Sequence, residues 1–129
     1  MGAVHTIVGF AVVTLFSVGW VWGGWALLRK RPPGERFWTW LALAQLAAGL
    51  QALLGIALLL LGRRPAALLH YVYGFGPLAV LVVAHVVARE AQRERPGSRS
   101  LQPWAAFSLA SFVCFGLSLR ALMTGLGLG

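Results

Sequence analysis

Hydrophobic residues in this chain fall in four long blocks, and polar residues gather in the short stretches between them. The blocks run from about residue 3 to 28, 37 to 61, 66 to 89 and 101 to 125. At a rise of about 1.5 Å per residue, each reaches about 35 to 39 Å as a helix, enough to cross about 30 Å of hydrocarbon with some tilt. The pattern predicts an all-α fold: an integral membrane, up-down-up-down four-helix bundle that forms a single domain over residues 1–129.

Breaks between the blocks carry their own signals. The first block ends in Arg29-Lys30-Arg31-Pro32-Pro33-Gly34, where two prolines and a glycine stop a helix. The second closes at Gly62 in the C′ position, followed by Arg63, Arg64 and Pro65. Pro77 lies within the third, where a missing backbone donor predicts a kink. A charged stretch with Pro96-Gly97, from Glu90 to Ser100, reads as a solvated loop, and the glycine-rich tail after the fourth block as a fraying end. The first block lacks a basic n-region and a small-residue cleavage site, and it exceeds the length of a signal-peptide core, so it is read as a mature helix.

Composition agrees with the pattern: 59% of the residues are hydrophobic. A net charge of +8 suggests nucleic acid at first sight. The cations sit between apolar blocks, however, without the polar surface that a nucleic-acid module needs, and topology accounts for them better. Arg29, Lys30, Arg31 and Arg36 follow the first block, and Arg89, Arg93, Arg95 and Arg99 follow the third; only Arg63, Arg64 and Arg120 fall at the opposite ends. The positive-inside rule then places both basic loops in the cytoplasm and both termini outside, as in a multi-pass protein of a bacterial inner membrane. Trp20, Trp22, Trp25, Trp38, Trp40 and Trp104 lie toward the cytoplasmic ends and read as an aromatic belt. The lone cysteine, Cys114, excludes an intrachain disulfide and reads as a small buried apolar residue.

Two histidines stand out against this background. His70 lies inside the third apolar block, and an imidazole within a membrane needs something to satisfy it: a backbone carbonyl or Gln51, as for a core histidine, or a bound ligand. His5, near the start of the first block, stands at the same predicted depth. Each precedes a glycine by four residues, Gly9 and Gly74, so each has a bare patch of helix one turn below it where a flat ligand can lie. In an up-down-up-down bundle the first and third helices are diagonal, and their imidazoles can converge across the core. Two neutral nitrogen donors on opposite faces of a planar macrocycle are what a bis-histidine haem requires. Arg63, Arg64 and Arg120, at the same end, can neutralise its propionates, and Tyr71 can bond one. His85 is 15 residues further on, about 22 Å deeper, with no matching ligand on the first helix; it reads as interfacial.

Beyond the histidines, Gln51-Ala52-Leu53-Leu54-Gly55, a turn at Pro65 and then Leu69-His70 resemble one half of the haem A synthase family, with His5-Thr6-Ile7-Val8-Gly9 as the partner helix. The resemblance covers about residues 5 to 88. It implies a four-helix bundle holding a haem between two histidines. The acidic residue that the family carries about one turn before a ligand histidine of its catalytic half is absent here, as is the whole second bundle, so the resemblance does not extend to haem A synthesis.

Other chemistry has few candidates. The chain contains no Asp, and Glu35, Glu90 and Glu94 all lie in the basic loops, which leaves no carboxylate for hydrolysis or proton pumping within the membrane. Gln45, Gly49, Gln51 and Gly55, with Ala44, Ala48 and Ala52, read as a small-residue packing surface on the second helix. The sequence thus points to a membrane protein with one b-type haem on His5 and His70, serving electron transfer or haem handling with a redox partner, a quinol or a larger membrane complex. A cofactor-free accessory subunit of such a complex is the alternative, and a metal or small-molecule site on the same two histidines a third.

Overall fold

The computed structural model describes residues 2–65, 67–93 and 102–128. Among them are four helices: α1 (Gly2–Arg29), α2 (Glu35–Leu60), α3 (Leu69–Arg93) and α4 (Pro103–Gly125). All four are long and apolar enough to cross a membrane, and the chain is by length and composition a multi-pass membrane protein. Leu46, Leu53, Val82 and Val83 are among the large apolar side chains that the bundle leaves exposed, as expected where the surrounding solvent is hydrocarbon.

Helix ends follow from local chemistry. Gly62 adopts φ 82° and lets the Arg63 N–H reach back to the Leu58 carbonyl at 2.9 Å, closing α2 where the glycine predicted. α1 stops by the same device, with two residues between its end and Pro32. Lys30, the one non-glycine residue with positive φ (53°) among the described residues, lets the Arg31 N–H bond the Ala26 carbonyl at 3.2 Å. α3 begins three residues later than its apolar block, because Ala67 to His70 form a turn in which the His70 N–H bonds the Ala67 carbonyl. At its other end α3 runs on to Arg93 through residues expected in a loop, and Arg93 meets Glu90 at 3.5 Å one turn back. The remainder of that expected loop, residues 94–100, lies outside the described residues.

Each helix adjoins the next and α4 closes on α1, leaving α1 and α3 diagonal. The contacts are uneven. α4 packs extensively on both α1 and α3, while α2 and α3 touch least of the four adjoining pairs. Gly19 and Gly23 of α1 bring that helix close to Ser111 and Ser108 of α4, the small-residue approach that membrane helices use in place of a hydrophobic driving force. Of the small residues expected to pack on α2, Ala44 and Ala48 are buried in the core and Gly55 lies against His5, whereas a side chain at Gly49 would meet nothing within 4 Å.

Filling differs between the two halves of the bundle. Toward the basic loops the interior is solid: Phe16, Phe37, Leu41 and Cys114 are fully buried among Leu81, Ala84, Phe107 and Ala110. The Cys114 thiol donates to the Pro77 carbonyl, in keeping with its expected buried role. Trp20 stacks on Phe112 and Phe115, and Trp22 on Phe37, while Trp40 donates its indole N–H to the Leu15 carbonyl at 2.8 Å. These three tryptophans tie helices together, so the belt reading holds best for the exposed Trp25. The opposite half of the bundle is hollow.

Candidate functional site

In the hollow half, His5 of α1 and His70 of α3 face each other across the diagonal. Their ring centroids are 6.1 Å apart and the ring planes are inclined at 68°. Both lie near the first turn of their helices, and the diagonal arrangement brings these turns together.

His70 is held from behind. Its Nδ1 is 2.9 Å from the Ala121 carbonyl and 3.2 Å from the Thr124 hydroxyl, both on α4. A carbonyl only accepts, so Nδ1 carries the proton and donates, which turns Nε2 away from α4 as the nitrogen not used in this bond. His5 Nδ1 is buried with no hydrogen-bond partner among the described residues. Around both rings the helices are pared to glycine: a Cβ at Gly125 would lie 3.1 Å from His70 Cε1, and one at Gly55 would lie 3.4 Å from His5 Cε1.

A cavity of about 380 Å³ opens beside the two imidazoles. That is within the usual size range of small-molecule and cofactor sites, about 300 to 1,000 Å³. Gly74 borders it with nothing within 4 Å of where a Cβ would stand, so the bare patch expected below His70 is open space. The patch expected below His5 is covered: a Cβ at Gly9 would meet the Gln51 amide nitrogen at 3.1 Å. Tyr71, Arg63 and Arg64 also line the cavity, the two arginines at its rim. Arg120 does not; its guanidinium lies over the Tyr73 ring, 5.8 Å from the centroid.

The walls are not equivalent. On the α1 and α4 side the cavity is backed by Gly9, Val12 and Ser118, all buried. On the α2 and α3 side it is lined by Ile56 and Phe75, each 40% exposed, and by the exposed Gly74. The cavity therefore has a lateral mouth where the helix packing is thinnest. Further along the same seam, His85 Nε2 donates to Gln45 Oε1 at 2.8 Å, the one side-chain hydrogen bond between α2 and α3 among the described residues. His85, exposed and packed edge-on against Phe107, takes no part in the cavity.

Two polar atoms in the cavity wall, Gln51 Oε1 and Ser118 Oγ, are buried without a partner among the described residues. Together with His5 Nδ1, they give an otherwise apolar enclosure a few convergent polar groups, the usual make-up of a ligand site. No cluster of three or more His, Cys, Asp or Glu side chains is found among the described residues. Any metal here would be held by the two imidazoles, with its other positions filled by the guest itself.

Sequence reasoning brought His5, His70, Gly74, Tyr71, Arg63 and Arg64 to this region and missed Ala121, Thr124, Gly125 and Ser118 on α4. These residues fell within the fourth apolar block, whose pattern does not say which of its faces meets the cavity. Comparison with known protein families, with characterised proteins and with solved structures finds no match for the chain.

Proposed function

We propose that this protein is a b-type haem protein of the membrane, with one haem held between His5 and His70. The observation that carries the reading is the facing pair of imidazoles. Their ring centroids are 6.1 Å apart, close enough that both side chains would hold the iron of one haem.

The surrounding residues fit the same guest. The Ala121 carbonyl fixes the His70 tautomer and turns its Nε2 free, the usual outer-shell support of a metal-binding histidine. Gly55 and Gly125 keep both rings clear of side chains, and Gly74 leaves room for a flat edge. Arg63 and Arg64 stand at the rim, where they can pair with propionates. Bound there, haem supplies one-electron redox chemistry; the chain orients it, shields it from water and balances its charge.

The same reading makes the bundle up-down-up-down in a bacterial inner membrane, with the basic loops cytoplasmic and the haem near the outer face. With a single histidine pair to hold haem, this reading has the electron exchanged on the outer side, with a redox partner, a quinol or a larger membrane complex. The test is an absorption spectrum of the protein purified in mild detergent from haem-replete cells. A Soret band with sharp reduced α and β bands, lost in His70→Ala, is expected. A colourless protein would favour a cofactor-free accessory subunit, and an unchanged low-spin spectrum in His70→Ala would reject the ligand assignment.

A further inference from the structure

A second pocket lies at the opposite end of α1 and owes nothing to the histidines. Its shape comes from the unusual stop of that helix. Left-handed Lys30 folds the chain back so that the Arg31 N–H reaches the Ala26 carbonyl, and Pro32 and Pro33 then stiffen the segment. A non-glycine residue in this conformation is uncommon and costs free energy, so the turn is a specified feature. It encloses a pocket of about 280 Å³ walled by Trp22, Trp25, Pro32 and Pro33 over the small, buried Ala26.

Arg29 and Arg31 also line this pocket. The Arg29 guanidinium is steadied over the Trp25 ring, 5.9 Å from its centroid. Among the described residues the only ion pair is Arg93 with Glu90, so neither cation of the pocket has a carboxylate partner there. Two arginines with no carboxylate partner among the described residues, lining a pocket with aromatic walls at the end of a membrane-length helix, call for an amphiphile with an anionic head. Guanidinium groups match phosphate oxygens in geometry and charge, and tryptophan side chains favour the level of lipid headgroups.

We propose that this pocket binds the phosphate of an anionic phospholipid, with Arg29 and Arg31 on the phosphate and Trp22 and Trp25 against the glycerol and upper acyl chains. Basic pockets at the ends of membrane helices recognise such headgroups by these contacts. The site is independent of the haem.

The test uses the full chain in nanodiscs or mild detergent, with phosphatidylglycerol, cardiolipin and phosphatidylcholine as probes and native mass spectrometry as readout. One anionic lipid should be retained with a preference of roughly tenfold or more over phosphatidylcholine. The double variant Arg29→Gln with Arg31→Gln should lose that preference, while Arg93→Gln, on a different helix, should keep it. Circular dichroism and a monodisperse elution profile establish that each variant is folded. Equal retention of phosphatidylcholine, or a preference that survives in the double variant, overturns the proposal. Displacement of the lipid by millimolar inorganic phosphate overturns the lipid as the source of the phosphate.

Discussion

At the scale of single residues, the glycines around the cavity separate packing from binding. Gly74 has open space beyond it, so Gly74→Ala should leave fold and haem occupancy unchanged, whereas Gly74→Leu should project into the cavity and lower occupancy. The ratio of Soret absorbance to protein measures this directly; full occupancy in the leucine variant would mean that the guest does not reach this wall. His5 and His70 were legible in the sequence because a polar ring in an apolar block is conspicuous. Ala121, Thr124 and Gly125 were not, since nothing in their local pattern says which residue of another helix they will face. That depends on the rotation of α4 about its axis, which an evenly apolar helix does not reveal.

Among the helices, the closest approach is between α1 and α4. A Cβ at Gly23 would fall 3.0 Å from the Ser108 Cα and overlap that side chain, so even a methyl group must push the two backbones apart. Gly23→Ala should therefore cost about 1 to 3 kcal/mol, the usual range for overpacking. Gly49→Ala on α2, with nothing within 4 Å, should stay within about 0.5 kcal/mol of the parent. Reversible unfolding in mixed micelles would compare the two, and equal losses would show that the α1–α4 contact yields easily. The existence and lengths of the helices were legible, because unbroken apolar runs leave the backbone no other way to satisfy its hydrogen bonds. Which glycines serve the close contact was not. Gly19 and Gly23, four residues apart on one face of α1, and Gly49 and Gly55 of α2 all sit in apolar runs, and the assembled bundle shows which of them face a neighbouring helix.

For the molecule as a whole, the uneven division of contacts sets how the cavity is reached. α4 binds both α1 and α3 closely, while the seam between α2 and α3 is thin and crossed by the Gln45–His85 hydrogen bond. Such bonds between membrane helices contribute only about 0.6 kcal/mol on average. His85→Leu should thus barely change stability yet speed the transfer of haem to an external acceptor, followed as decay of the Soret band. An unchanged transfer rate would indicate that haem leaves through the end of the bundle instead. The lateral mouth at Ile56, Gly74 and Phe75 also has a consequence for the lipid around it. Parting α2 from α3 displaces acyl chains rather than water, so the barrier to exchange should rise with chain order and lateral pressure. If the cavity holds the proposed haem, the fluidity of the host bilayer then sets how long the guest is kept.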